Sequence, residues 1–93
     1  MLVKQTLDFH IGSSFDLKVV ADAKDKTITV SREGFEPKVI DTQSVDWFGK
    51  VFFYVFRMDP DCELDHHDEK VIKGAILKIV SAEAQAIAIG AIL

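Results

Sequence analysis

One segment of the sequence concentrates side chains that could do metal or nucleophile chemistry. Residues 59–69 hold six acids, two histidines and the only cysteine of the chain. Carboxylates, imidazoles and thiolates are the side chains that bind divalent cations in proteins. The candidate metal ligands are Asp61, Cys62, His66 and His67.

The spacing within this segment fits no established metal motif. An EF-hand loop beginning at Asp59 would need glycine where Leu64 stands and a bidentate glutamate where Lys70 stands. A zinc site would need a second cluster of ligands, and adjacent histidines on a short loop rarely reach one tetrahedral ion. We therefore predict a solvated acidic loop over residues 59–69, with no metal and no cofactor.

Catalytic motifs are also missing from the sequence. Cys62 could act as a nucleophile with His66 or His67 as its base, but the surrounding carboxylates disfavour a thiolate. There is no glycine-rich phosphate loop, no pair of CxxC motifs and no triad. These observations predict a protein that is not an enzyme.

Charge narrows the range of partners. The chain has 15 Asp+Glu against 11 Lys+Arg, a formal net charge of -4, and the surplus of acids lies entirely within residues 59–69. An acidic protein lacks the general positive field with which proteins hold nucleic acid. We predict no nucleic-acid partner.

The first half of the chain alternates apolar and polar residues, which is typical of half-buried strands. Residues 12–14 and 22–26 are turn-forming, and the β-branched run at 27–31 favours a hairpin with residues 15–21. Pro37 breaks the chain before a short strand. The predicted strands cover residues 3–11, 15–21, 27–31 and 38–41.

An aromatic run at residues 51–56 predicts a further strand in the centre of the sheet, covered on both faces. On such a strand Phe52, Tyr54 and Phe56 would project from one face. That face would pack in the core or at an interface, or it would form one wall of a small-ligand pocket.

Residues 71–80 are ambiguous, because their β-branched content favours a strand whereas their apolar spacing also fits a helix over 69–80. Gly74 weakens the helix, and we prefer the strand. Ser81 is then the N-cap of a helix over residues 82–91.

Together these elements predict one α+β domain over residues 1–93. It has an antiparallel sheet of four to five strands with the C-terminal helix packed on one face, and a second helix at 69–80 is the alternative.

The predicted last helix is apolar on opposite sides, and one sheet can cover only one of them. In a chain of 93 residues the second cover would come from another copy, and a twofold dimer is the commonest arrangement. The predicted interface residues are Ile87, Ile89, Ala91 and Ile92.

The remaining predictions concern compartment and function. One cysteine cannot form an internal disulfide, which favours the cytoplasm. Lys4 interrupts the N-terminus before a signal peptide could form, and charged residues exclude a membrane span at residues 71–93.

We predict a small self-associating protein that is not an enzyme and acts through protein contact. The alternative is a module that binds a small ligand on the aromatic face or a divalent metal in the acidic loop.

Overall fold

The computed structural model describes the backbone of residues 4–11 and 15–92, and side chains through residue 90. Its first half is an antiparallel meander in the order β1-β2-β3-β4. The strands are β1 (Lys4–Ile11), β2 (Phe15–Asp22), β3 (Thr27–Arg32) and β4 (Lys38–Asp41). The predicted hairpin and the predicted strands on either side of it are confirmed. The predicted turn at residues 12–14 lies outside the described residues.

The strand register places apolar side chains on one face of the sheet. Val19 lies opposite Leu7 on one side and Val30 on the other, and Ile28 lies opposite Ile40. Because successive side chains on a strand point to opposite faces, the intervening positions form a polar outer face. The meander therefore has one face to bury, as its alternating sequence predicts.

The aromatic run is helical, and the predicted central strand at residues 51–56 is wrong. Helix α1 (Trp47–Arg57) buries side chains at the spacing of a helix face. These residues are Trp47, Phe48, Val51, Phe52 and Val55. The apolar residues Phe53 and Phe56 stand on the exposed side of α1 and hide its period in the sequence.

Residues 66–79 form the second helix, α2 (His66–Ile79). The preferred strand at residues 71–80 is therefore wrong, and the alternative helix at 69–80 is confirmed. Ile72 and Ile76, one turn apart, are its buried residues. Gly74 lies on the exposed side, where an added Cβ would meet nothing within 4 Å. Its cost is therefore limited to the intrinsic helix propensity, about 1 kcal/mol.

The last helix, α3 (Ala82–Ile92), begins as predicted. The Ser81 hydroxyl accepts a hydrogen bond from the backbone N–H of Ala84 at 3.1 Å, which confirms the predicted N-cap. Ala84 and Ala88 are buried in the shared hydrophobic core. The Trp47 indole N–H donates to the Ala84 carbonyl at 3.0 Å and so joins α3 to α1.

The helices cover the apolar face of the sheet. Helix α1 contacts β3 and β4, and α2 contacts β1. The predicted α+β class and the packing of the C-terminal helix are confirmed, with two further helices beside it. None of the described helices is long and apolar enough to cross a bilayer.

Candidate functional site

The acidic segment begins with a residue that organises the chain rather than facing solvent. Asp59 is only 6% exposed. Its carboxylate accepts hydrogen bonds from the backbone N–H groups of Glu63 at 2.9 Å and Leu64 at 3.0 Å. The connection between α1 and α2 covers residues 58–65, and residues 66–69 form the first turn of α2. The predicted loop boundary at residue 69 is therefore wrong.

Replacing Asp59 tests this structural role. Asp59→Ala should lower the free energy of unfolding by about 1–3 kcal/mol, because two part-buried N–H groups lose their acceptor. Asp61→Ser, which changes an exposed acid two residues away, should leave the stability unchanged. Chemical denaturation of both variants checks the prediction, and equal effects would contradict it.

The end of the acidic segment forms the N-terminal cap of α2. The Asp65 carboxylate accepts from the backbone N–H of Asp68 at 2.7 Å, and the Asp68 carboxylate accepts from the backbone N–H of Asp65 at 3.4 Å. This reciprocal pair is a capping box. The hydrogen bond from the Asp68 N–H is the main reason that the pKa of Asp65 lies below its ordinary value of 3.8. Two of the six acids therefore start a helix.

The cap predicts a pH dependence. Because folding lowers the pKa of Asp65, the stabilisation is present above its unfolded pKa and is lost as pH falls through the lower folded value. Asp65→Ser keeps a capping hydroxyl that does not titrate. Its stability should fall less steeply than that of the wild type below about pH 4. Denaturation at a series of pH values measures the two slopes, and identical slopes would refute a titrating cap.

The candidate metal ligands are not brought together. Asp61, Cys62, His66 and His67 are all exposed. Among the residues that the structure describes, no group of three or more His, Cys, Asp or Glu side chains could hold a metal ion. The nearby Glu69 is bound instead by the Lys73 ammonium at 2.7 Å, and this hydrogen bond holds the pKa of Glu69 below its usual value.

The three aromatic residues predicted to share a strand face are also separated. Because residues 47–57 are helical, Phe52 and Phe56 lie one turn apart whereas Tyr54 points to another side of α1. Phe52 is buried against Phe48, with ring centroids 5.2 Å apart. The predicted strand face is therefore wrong, and of the three residues only Tyr54 borders the recess at the end of the sheet.

The predicted interface on α3 is only partly described. Ile87 is half-buried, packs against the core and borders a narrow recess of about 100 Å³ next to β2. Ile89 points outward and is 48% exposed. The side chains of Ala91 and Ile92 lie outside the described ones. A charge at Ile87 would disturb the core as well as any interface, so Ile89 is the better position at which to test α3.

One surface that the sequence analysis does not single out is the outer edge of β1. Within the part of the chain that the structure describes, β1 is hydrogen-bonded to β2 alone. It is eight residues long and contains no proline or glycine. The other edge strand, β4, has four residues and follows Pro37. Long, regular edges present unpaired N–H and C=O groups that can pair with another strand.

Apolar side chains flank this edge on the helix side. Leu7 and Phe9 are half-buried on the core face of β1. On α2, Lys73 reaches the ring of Phe52 in α1, with its ammonium 5.3 Å from the ring centroid. Val71 stands about 200° around the helix from Lys73, so it faces away from α1. Because α2 packs on β1 whereas α1 packs on β3 and β4, we infer that this direction is towards the outer edge of β1. Val71 is 49% exposed.

The outer face of β1 is charged. Lys4 lies opposite Asp22 of β2, with the ammonium 3.8 Å from the carboxylate, and Asp8 lies opposite Lys18. Thr6, between them, is exposed and lies opposite Val20. The strand thus has one positive and one negative residue placed symmetrically about Thr6.

The chain matches no protein-family model, and neither the curated proteins nor the solved structures contain a significant match.

Proposed function

We propose that this chain is a small protein that is not an enzyme, acts through protein contact and forms a homodimer edge to edge along β1. The observation that carries the proposal is the long outer edge of β1, which pairs with no strand among the described residues. Pairing two such edges about a twofold axis would join two four-stranded sheets into one and satisfy the backbone groups of both edges.

Charge favours some registers of this pairing over others. Side chains stay on the correct face only if a residue meets another of the same parity. Centring the pair on Thr6 puts Lys4 of each copy opposite Asp8 of the other. Together with Asp22 and Lys18 of β2, this creates a row of alternating charge across four strands. Centring it on Asp8 would oppose two carboxylates directly, which is unfavourable.

Burial supports the same arrangement. The helix side of the edge carries the half-buried Leu7 and the exposed Val71, and a second copy would cover both. Removing such apolar surface from water contributes about 25 cal/mol per Å². The cytoplasm suits this protein because its one cysteine, Cys62, is exposed and unpaired, whereas small secreted domains commonly depend on disulfides.

The test places two positive charges on the proposed axis. The wild type should sediment as a dimer, at twice the 10.4 kDa of one chain, with reducing agent present so that Cys62 cannot crosslink it. Thr6→Lys puts two lysines directly opposite each other, and the dissociation constant should rise about tenfold or more. Ser31→Lys adds the same charge to the outer face of β3, away from the edge, and should leave the dimer intact.

A charge exchange tests the register. Lys4→Asp and Asp8→Lys should each weaken the dimer, and the double variant should restore it relative to either single change. A wild type that stays monomeric at all concentrations would overturn the proposal. A dimer that Thr6→Lys leaves intact and Ile89→Asp dissociates would move the interface to α3.

A further inference from the structure

A recess with aromatic walls and two cations lies where the β3–β4 connection meets the C-terminal end of α1. Its volume is about 270 Å³, close to the lower end of the range for small-ligand sites. The residues that line it are Phe35, Glu36, Lys38, Tyr54, Arg57 and Met58.

The walls of the recess are suited to a flat apolar group. Phe35 is 38% exposed and Tyr54 is half-buried, so ring surface on both residues remains accessible. Met58, which also lines the recess, is buried. Aromatic rings prefer offset-stacked or edge-to-face contacts with other rings, and thioether sulfur also packs favourably against a ring.

The rim of the recess is positive. Among the described residues, Arg57 has no carboxylate within salt-bridge distance; its guanidinium carbon lies 5.4 Å from the centroid of the Phe53 ring. The Lys38 ammonium lies 5.6 Å from the centroid of the Tyr54 ring. In the part of the chain that the structure describes, the only carboxylate within salt-bridge distance of this ammonium is that of Glu36, at 3.8 Å. The Glu36 side chain is 85% exposed, so water screens that pair and leaves Lys38 able to bind another anion.

Arg32 offsets the negative end of α1 next to the recess, which would otherwise repel an anion. The C-terminal end of a helix carries a partial negative charge that repels anions. The Arg32 guanidinium donates to the carbonyl of Met58, at the end of α1, and so offsets that charge. The same guanidinium lies 3.8 Å from the ring centroid of Phe15 and 4.8 Å from that of Phe35, which helps to hold Phe35 in place.

We infer that this recess binds a small aromatic carboxylate. The ring lies between Phe35 and Tyr54 next to Met58, and the carboxylate pairs with Arg57 and Lys38. Arginine suits this role because its planar guanidinium can donate two parallel hydrogen bonds to a carboxylate. The recess lies next to β4, at the opposite edge of the sheet from β1, so ligand binding there does not depend on the proposed dimer.

Titration with benzoate, followed by amide NMR shifts, tests this inference. Benzoate should shift the amides of Phe35, Lys38 and Arg57 in a saturable way, with a dissociation constant on the order of 1 mM for so small a ligand. Benzamide, which has the same ring and no charge, should bind at least fivefold more weakly. Cyclohexanecarboxylate, which has the charge and no aromatic ring, should also bind more weakly.

Two variants complete the experiment. Arg57→Gln should weaken benzoate binding at least fivefold, whereas Lys70→Gln, at an exposed lysine of α2, should leave it unchanged. The inference is overturned if benzamide binds as well as benzoate, if Arg57→Gln binds as tightly as the wild type, or if the shifts map to other residues.

Discussion

Phe52→Ala should remove a large part of the stability of this protein, whereas Phe53→Ala, one residue further along, should change it little. Phe52 is 6% exposed and Phe53 is 54% exposed. The ring of Phe52 packs edge to face against Phe48 and lies 6.2 Å from that of Phe56. Deleting a buried phenylalanine ring costs about 3–5 kcal/mol, because burial is lost and a cavity remains. That is a large part of the 5–15 kcal/mol typical of a small domain.

The pair of variants also distinguishes a helix from a strand at this point in the chain. A central strand covered on both faces would bury both rings, so the two variants would be destabilised alike. In α1 the two side chains point about 100° apart, and only one faces the core. Urea denaturation followed by circular dichroism gives both free energies of unfolding. Similar losses for the two variants would contradict the helical packing of α1.

The meander could be predicted because its sequence and its burial have the same period. Leu17 and Val19 alternate with Asp16 and Lys18, and the structure buries the first pair and exposes the second. Such alternation is produced only by a strand with one buried face. The turn at residues 23–26 precedes the start of β3 and Pro37 precedes the start of β4, so both boundaries are visible in the local sequence.

Helix α1 could not be recognised from residues 51–56 alone. Its buried positions repeat with helical spacing over the whole of residues 47–58, but Phe53 and Phe56 place apolar side chains on the exposed side. Within a window of six residues the periods of two and 3.6 cannot be told apart when nearly every position is apolar. At residues 71–80 the β-branched content favoured a strand, whereas the buried pair Ile72 and Ile76 follows the helical spacing that the same residues also fit.

The functions of the acidic segment, the β1 edge and the recess could not be predicted from neighbouring residues in the sequence either. Composition drew attention to residues 59–69, where the buried Asp59 and the capping pair of Asp65 and Asp68 have structural roles that depend on backbone geometry. The edge of β1 becomes visible only with the strand order, because any first strand of a meander lies at an edge. The recess combines Lys38 with Arg57, residues 19 positions apart that meet only after α1 packs on the sheet.

The second large effect concerns Trp47, which is fully buried and joins α1 to α3. Trp47→Ala should cost about 3–5 kcal/mol through the loss of a buried ring system. Trp47→Phe retains an aromatic ring next to Phe48 but removes the indole N–H that donates a hydrogen bond to the Ala84 carbonyl. Losing this hydrogen bond should cost about 1–3 kcal/mol.

Hydrogen exchange in Trp47→Phe measures which part of the protein loses stability when this hydrogen bond is removed. Because the indole N–H holds α3 against α1, the amides of α3 should exchange about tenfold faster or more, since about 1.4 kcal/mol of local opening energy corresponds to a factor of ten. The amides of β2 and β3, which pair with each other over six residues, should keep the same ranking of exchange rates as in the wild type. A uniform loss of protection across the sheet and all helices would show that Trp47 stabilises the whole domain through its volume and that the hydrogen bond to Ala84 has no separate effect.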